Sequence, residues 1–399
     1  MQWKTEALSD IAFMTSGGTP SKKNLEYYKN GTIPWVRSGE LENGAICDTA
    51  IKITQTGLEA SSAKIFPKGT LLIALYGATI GKLAYLNIDA CTNQAVCGIF
   101  DNEKVSLKYL YYFLLFHRPD LVKQGVGGAQ PNISQTILKK MKVSYPVEKA
   151  EQLRIVGKIE ELLSKLDDSV VELQTARKKL KIYRQAAITQ AFPALSEEYT
   201  VKLSDIASIS GGITKGRKLD GCDTLTLPYL RVANVQNGFL DLQEVKSIQL
   251  KTTEKDKYLL KYGDVLYTEG GDRDKLGRGT VWRNEIENCV HQNHVFKARL
   301  DLDYALPEYV AYWSMSTPAR NYFYQKGKQS VNLASINKTV LSDLLLPLPS
   351  VATQQKIIES ISARISVADN IEQSLDVSLQ QAEALQQSIL KQAFEGRLV

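Results

Sequence analysis

An internal repeat constrains this chain of 399 residues more than any other feature. The segment LSDIA occupies positions 8–12 and again 203–207, and each copy is followed by a Gly-Gly pair. IPWVRSGELENG at 33–44 corresponds in the same way to LPYLRVANVQNG at 227–238. The offset between the copies drifts by a few residues, which indicates insertions in the loops of a shared framework. The sequence therefore predicts two copies of one folded module.

The segment after each module matches its counterpart without any gap. Gln152 corresponds to Gln354 and Phe192 to Phe394, at one constant offset. An insertion within a helix rotates every later residue by about 100°, so a long match without gaps favours a helix. Apolar residues recur there in steps of mostly three and four, as in the seam of a coiled coil. The predicted seam consists of Leu163, Leu166, Val170, Leu173, Leu180, Ile365, Ala368, Leu375, Leu379 and Ala382. Two separate amphipathic helices, each packed on its own module, are the alternative.

Short apolar runs between helical segments, such as TLLIALYG, indicate that both modules mix helices and strands. The predicted fold class is α+β: two similar mixed α/β modules, each followed by a long helix, with the helices pairing as an antiparallel coiled coil about a pseudo-twofold. The predicted boundaries are 1–150 for module 1, 151–195 for the central helix, 196–350 for module 2 and 351–399 for the C-terminal helix.

Positive charge is concentrated in the two modules. Residues 1–150 carry a net charge of +5 and residues 201–350 carry +3, whereas the two helical segments are neutral or acidic. A basic block can bind a polyanion, although such a block is more often an ordinary solvated surface. Five scattered cysteines, no apolar leader and no long apolar run predict a protein of the cytoplasm without a membrane segment.

Several motifs resemble catalytic sites but lack essential parts. GATIGK at 77–82 has one residue too few for a phosphate-binding loop and no Ser or Thr after its lysine. HQNH at 291–294 has no third histidine or cysteine pair at a zinc-ligand spacing. Asp223, Glu244 and Lys246 are the residue types of a metal-dependent nuclease, but the first copy has no Glu-x-Lys. We therefore predict no catalytic residues and no metal site, and retain the nuclease as a competing hypothesis.

Basic and aromatic residues alternate in both modules, a composition suited to DNA. Lysine and arginine neutralise phosphates, and arginine also reads guanine in the major groove. The candidates for phosphate contact are Lys22, Lys23, Lys82, Lys215, Lys218 and Lys275. The arginines that either contact phosphate or read guanine are Arg37, Arg217, Arg231, Arg273 and Arg278. Arg37 and Arg231 occupy matched positions, so a role in the shared framework remains open for both.

With modules and helices assigned, the chain resembles the specificity subunits of type I restriction-modification enzymes over essentially its whole length. The resemblance rests on LSDIA with GGTP, IPWVRSGEL, GATIGK and GGAQPNIS, on the helix after YPVEKAEQL, and on the second set ending QSILKQAFEGRLV. The second copy departs from the pattern in SVNLASIN, which lacks the Gln-Pro of AQPNIS.

The resemblance implies a non-catalytic subunit whose two target-recognition domains each read one half of a bipartite site in double-stranded DNA. Its helices would set the spacing and dock methyltransferase subunits, two in number, in a prokaryotic complex that also includes restriction and translocase subunits. S-adenosylmethionine, ATP and Mg²⁺ would then bind to the partners, and no cofactor to this chain. The alternative is a helical scaffold for other proteins whose modules do not bind DNA.

Overall fold

The computed structural model contains two copies of one module and describes residues 2–125, 132–196, 199–219, 221–329 and 334–399. The chain divides into two units: unit 1 is Met1–Leu173 with Val377–Val399, and unit 2 is Gln174–Asp376. Each unit thus combines one module with a part of both helical segments that the sequence analysis had treated as separate domains. The Gln-Pro pair at 130–131 and its counterpart region at 330–333 lie outside the described residues.

Module 1 contains eleven short strands and five short α-helices among its described residues. The strands are β1 Trp3–Ala7, β2 Met14–Ser16, β3 Ile33–Val36, β4 Gly44–Ile46, β5 Lys52–Ile53, β6 Ile65–Phe66, β7 Leu71–Ala74, β8 Leu83–Leu86, β9 Ala90–Thr92, β10 Val96–Ile99 and β11 Lys142–Pro146. The helices are α1 Leu8–Ile11, α2 Gln55–Glu59, α3 Leu107–Phe116, α4 Arg118–Lys123 and α5 Gln135–Lys140.

The strands of module 1 form three sheets. Five strands pair in the order β2-β10-β7-β8-β4, four in the order β5-β3-β9-β6, and β1 pairs with β11. Strands β7 and β10 are buried along their whole length, as expected for their runs of apolar residues. Ser106 caps the start of α3, where its hydroxyl accepts a hydrogen bond from the Tyr109 N–H, and α3 buries much of its surface in the same core.

The first long helix, α6, spans Lys149–Ala191 and leads into module 2. The strands there are β12 Thr200–Lys202, β13 Ala207–Gly211, β14 Thr224–Leu230, β15 Lys246–Lys251, β16 Val265–Thr268, β17 Gly270–Gly271, β18 Gly279–Val281, β19 Val290–His291, β20 Val295–Leu300, β21 Lys328–Gln329, β22 Ala334–Ser335 and β23 Leu345–Pro347. The helices are α7 Leu203–Ile206, α8 Lys255–Tyr258, α9 Pro307–Met315, α10 Thr317–Lys326 and α11 Lys338–Ser342, and the second long helix, α12, is Val351–Phe394.

The strand pairing of module 2 repeats that of module 1, which confirms the predicted duplication. Its main sheet, β13-β20-β16-β18, matches β2-β10-β7-β8, and β12 pairs with β23 as β1 pairs with β11. The order β15-β14-β19 matches β5-β3-β9, including the parallel pairing of its second and third strands. The described residues of module 2 contain no counterpart of β4 in the main sheet or of β6 in the second sheet, and they form a further three-stranded sheet, β17-β22-β21.

The two long helices pair antiparallel, as predicted. In unit 2, Arg184 forms ion pairs with Asp369 at 2.5 Å and Glu372 at 2.6 Å, and Arg177 pairs with Asp376 at 3.4 Å. A step of seven residues back along α6 thus matches a step of seven residues forward along α12, which requires opposite directions. In unit 1, Leu163 of α6 shares a buried cluster with Ile389 and Leu390 of α12.

The ten predicted seam residues lie on the covered sides of these helices. Five are buried: Leu163, Leu180, Ala368, Leu375 and Ala382. Five are half-buried: Leu166, Val170, Leu173, Ile365 and Leu379. None of them is among the exposed apolar residues of α6 and α12, which include Val171, Ile182 and Val367.

A buried glutamine fixes the first turn of each long helix to its module. The Gln152 amide nitrogen donates to the Lys104 and Pro146 carbonyls, and its oxygen accepts from the Ser106 N–H, at 2.8–2.9 Å. Gln354 repeats this set with Tyr304, Pro349 and Leu306 at the same distances. Both side chains are fully buried, so the matched glutamines of the sequence repeat hold equivalent joints together.

A phenylalanine at the far end of each long helix packs on a module helix. Phe394 of α12 lies 5.3–5.7 Å from the ring centres of Tyr109, Phe113 and Phe116 in unit 1. Phe192, directly after α6, lies 5.2 Å from those of Tyr309 and Trp313 in unit 2. Each unit therefore contains the start of one long helix and the end of the other, and the aromatic contacts stabilise that arrangement.

Candidate nucleic-acid interface

Polar residues follow two adjacent parallel strands in each module, at the ends where both strands stop. β3 pairs in parallel with β9, and β14 with β19. The residues that follow are Arg37 and Asn93 in module 1, and Arg231 and Gln292 in module 2. The Asn93 N–H donates to the Val36 carbonyl at 3.0 Å, and the Gln292 N–H to the Leu230 carbonyl at 2.9 Å. We call these matched ends the carboxyl edge.

A glycine allows the loop after β2 in module 1, and the loop after β13 in module 2, to approach this edge closely. A Cβ on Gly17 would lie 2.0 Å from the Thr92 carbonyl oxygen, and one on Gly212 would lie 1.9 Å from that of His291. No side chain is compatible with such an approach. The structure therefore matches Gly17, the first glycine of its pair, with Gly212, the second glycine of its pair. The two Gly-Gly pairs are thus shifted by one residue relative to each other.

The loops that start at these glycines carry four of the predicted phosphate contacts. Lys22 and Lys23 are exposed in module 1, and Lys215 and Lys218 are exposed in module 2. In module 1 the Trp35 indole donates to the Gly18 carbonyl at 3.0 Å, which ties the loop to β3. Both loops thus present ammonium groups from a segment anchored beside the carboxyl edge.

The matched arginines of the edge are partly held by the framework. The backbone N–H of Arg37 donates to the Glu40 carboxylate at 2.8 Å, and that of Arg231 to the Asn234 amide oxygen at 2.9 Å. Their guanidinium groups pair with Glu40 and Glu244, each at 3.5 Å. Lys246 and then Arg231 lower the pKa of Glu244. The Arg231 Nε is buried and has no hydrogen-bond partner among the described residues.

Lys82 and Arg278 occupy the same place in the two modules, a match hidden by the sequence drift. The Lys82 carbonyl accepts from the Ala74 N–H at 2.9 Å, and the Arg278 carbonyl from the Thr268 N–H at 3.1 Å. Each follows a glycine with positive φ, 71° and 61° respectively. Both cations therefore lie on the same turn of the repeated framework, between β7 and β8 in module 1 and between β16 and β18 in module 2.

The guanidinium groups of Arg217 and Arg278 in module 2 have different kinds of partner. Arg217 forms two hydrogen bonds with the Glu254 carboxylate, at 3.0 and 2.9 Å, and lowers the pKa of that carboxyl. Arg278 instead donates to the Gln236 amide oxygen at 2.7 Å. A carboxylate partner neutralises a guanidinium, whereas an amide only orients it.

The last two candidates lie on the segment between β17 and β18. The Arg273 guanidinium lies 4.4 Å from the ring centre of Tyr324, and its Nε donates to the carbonyl of the same residue at 3.1 Å. Lys275 forms an ion pair with Asp272 and lowers the pKa of that carboxyl. The contacts of Arg273 fix the segment against α10, whereas the ion pair of Lys275 lies within the segment.

The GATIGK segment forms a turn packed on a helix. Gly77–Thr79 is a short 3₁₀ turn, and the Thr79 hydroxyl donates to the Tyr76 carbonyl at 2.7 Å. A Cβ on Gly81 would lie 2.7 Å from the Arg118 side chain, whose Nε donates to the Ile80 carbonyl. The glycine here serves this packing and the left-handed backbone.

The two histidines of HQNH have separate environments. His291 is fully buried with its Nδ1 2.7 Å from the Val295 carbonyl oxygen, and burial lowers its pKa to about 4. His294 is exposed and lies 2.7 Å from the Glu269 carboxylate. Over the described ranges, no three His, Cys, Asp or Glu side chains lie close enough together to hold a metal ion.

The three residues of the nuclease hypothesis are not brought together. Glu244 and Lys246 form an ion pair at 3.3 Å. Lys246 lies opposite Tyr229, whereas Asp223 precedes the residue opposite Lys251, at the other end of the β14–β15 pair. Six residues of strand separate the two ends by about 20 Å. A single metal ion cannot bridge that distance.

Amide side chains of the candidate interface are missing from the residues predicted from the sequence, which are all cations. Asn93 and Gln94 follow β9 in module 1, and Gln292 and Asn293 follow β19 in module 2, at the carboxyl edge, while Gln236 contacts Arg278. The signal was present in the repeat, since TNQ at 92–94 and HQN at 291–293 occupy the same turn. Amides hydrogen-bond to adenine as arginine does to guanine.

No helix among the described residues combines the length and the apolar character that crossing a membrane requires.

Comparison with known proteins assigns this architecture to one family. The sequence model for the type I restriction modification DNA specificity domain matches residues 1–183 and 196–381, so one match falls on each copy of the repeat. The type I restriction enzyme StySPI specificity subunit of Salmonella potsdam is 25% identical over 419 residues, which cover 99% of this chain and 89% of that relative. The EcoKI specificity subunit of Escherichia coli K12 is 25% identical over 418 residues, with the same coverage.

Solved structures share the fold over the full length. A chain from a study of complex assembly and conformational transition of the type I R-M system has a TM-score of 0.76, with 18% identity, and the match covers 99% of this chain and 98% of that one. The HsdS subunit from Thermoanaerobacter tengcongensis has a TM-score of 0.53, also with 18% identity, covering 99% and 97%.

Proposed function

This chain belongs to the family of type I restriction-modification DNA specificity subunits, and from that premise we propose that each of its modules reads one half of a bipartite site in double-stranded DNA. The observation that carries the proposal is the matched placement of cations in both modules. Arg37 and Arg231 share one position of the carboxyl edge, and Lys82 and Arg278 share the turn beside the main sheet. Around these shared positions, the loops differ in sequence.

Different loops on one framework suit a DNA site whose two halves differ in sequence. Exposed lysines such as Lys22 and Lys215 would hold phosphates, a contact that carries no sequence information. Arginines and amides at the edge would contact bases in the major groove. Because phosphate contacts release counterions, binding should weaken steeply as salt increases.

The long helices would dock the methyltransferase subunits, two in number. Several apolar side chains of α6 and α12 face solvent: Val171 is 60% exposed, Ile182 70% and Val367 56%. Exposed apolar residues on paired helices favour burial against a protein partner.

S-adenosylmethionine would bind the methyltransferase subunits, and ATP and Mg²⁺ the restriction and translocase subunits, in the prokaryotic cytoplasm. No step of the chemistry would then use a residue of this chain.

The test combines the purified chain with compatible methyltransferase subunits of a type I restriction-modification system and maps the bases that the complex methylates in previously unmethylated genomic DNA. We expect one bipartite motif with a fixed spacer, and loss of specific binding when the spacer changes by one base pair. Stable complexes with the methyltransferase subunits but no DNA binding at low salt would favour the helical scaffold instead. Metal-dependent cleavage by the chain alone would contradict the proposal.

A further inference from the structure

We infer that Arg278, oriented by Gln236, reads a guanine in the half-site of module 2. This inference rests on the proposed function and names one base contact within it. Gln236 lies in the repeated segment LPYLRVANVQNG, 42 residues before Arg278 in the chain. Only the folded module brings the two side chains together.

Both side chains are held by their surroundings. The Gln236 amide nitrogen donates to the Ala233 carbonyl at 2.8 Å, which turns its oxygen toward Arg278. That oxygen accepts from one Nη of Arg278 at 2.7 Å. The backbone of Arg278 is fixed by the hydrogen bond between its carbonyl and the Thr268 N–H at 3.1 Å. An arginine whose backbone and guanidinium are both held in place loses little conformational entropy when it binds a ligand.

Arg278 has no carboxylate within ion-pair distance among the described residues, in contrast to its neighbours, although its charge helps Lys275 to lower the pKa of Asp272. Arg217 is paired with Glu254, Arg231 with Glu244 and Lys275 with Asp272. In the part of the chain that the structure describes, no ion pair includes Arg278. A guanidinium has five N–H donors, so donors remain for a ligand after the bond to Gln236. Arg217 and Arg231 are paired with carboxylates, and Arg273 is held against Tyr324. Among the arginine candidates of module 2, Arg278 is therefore the one whose guanidinium is best placed to contact a base.

The chemistry of the guanidinium selects guanine. Its fork of N–H groups matches the N7 and O6 acceptors that guanine presents in the major groove. Module 1 has Lys82 at the same position, and an ammonium is a compact point charge without this planar fork. The half-site of module 2 should therefore contain a G·C pair read through this turn. The half-site of module 1 should have no such contact from Lys82.

The test compares methylation motifs for the wild-type complex and the variants R278K, R278Q and Q236L. The half-site of module 2 is identified as the half that changes when residues 201–350 are exchanged for those of another specificity subunit. We expect R278K and R278Q to reduce discrimination at one G·C pair of that half roughly tenfold or more. Q236L should act at the same pair with a smaller effect, because it releases the guanidinium without removing it.

Arg283 provides the matched control. Arg278 lies directly before β18, and Arg283 lies two residues after it. The Arg283 guanidinium pairs with Glu308 at 3.3 Å. R283K should leave the motif unchanged. Equal loss of affinity for all sequences in R278K and R278Q would mean a phosphate contact and would overturn the inference, as would an unchanged motif in both. A wild-type complex without any bipartite motif would instead contradict the proposed function itself.

Discussion

Replacement of Gln354 by leucine should destabilise unit 2 by about 2–4 kcal/mol. The side chain is fully buried and makes three hydrogen bonds, with the Leu306 N–H and the carbonyls of Tyr304 and Pro349. Leucine has a similar volume but leaves all three backbone groups without their partner. Each buried group left in that state costs about 1–3 kcal/mol, and the added apolar burial of leucine offsets part of this cost.

The assay is hydrogen exchange of the purified chain, because two units do not unfold as a single two-state system. Amides of α9 should lose protection in Q354L, whereas amides of α3 in unit 1 should keep theirs. Gln355 is the control, since its side chain is exposed and donates a hydrogen bond to the Glu359 carboxylate of the same helix, at 3.0 Å. A loss below about 0.5 kcal/mol in Q354L, or an equal loss in Q355L, would refute the assigned role of the buried glutamine.

Three further outcomes follow from the geometry. G212A should destabilise unit 2 strongly in denaturant unfolding, because the added Cβ would lie 1.9 Å from a carbonyl oxygen. G211A should have a small effect, because the nearest atom to its Cβ is 3.5 Å away. Equal effects of the two variants would contradict the close approach. Burial lowers the pKa of His291 to about 4, so its stabilising effect is complete above pH 6.5 and is lost as the pH falls toward 4, at a cost of roughly 3 kcal/mol. H291T should flatten that pH dependence, and an unchanged slope would exclude His291 as its source. The double variant K22A/K23A should reduce the salt dependence of DNA binding by about two phosphate contacts without altering the motif, and a changed motif would mean that these lysines read bases.

The duplication and the long helices could be predicted because their signals are local or repetitive. A helix cannot absorb an insertion, so the constant offset from Gln152 to Phe192 indicates α6 to within three residues at each end. The correspondence between Arg37 and Arg231 could also be predicted from the sequence, because the residues around the two arginines are alike. The shared strand order follows from that duplication.

Contacts between residues distant in sequence could not be predicted. Nothing in the local sequence shows that Arg217 pairs with Glu254 or that Arg278 meets Gln236. The match of Lys82 with Arg278 was hidden because the two turns differ in length, and only their backbone hydrogen bonds reveal it. Candidate cations can be chosen from composition, but their availability for DNA depends on which of them are already paired.

The most direct test of the account is to exchange residues 201–350 for the corresponding segment of another specificity subunit and to map the methylated sites of the resulting complex. We predict that one half of the motif changes completely, while the other half and the spacer length stay the same. A motif in which both halves change, or in which neither does, would contradict the reading of one half-site by each module.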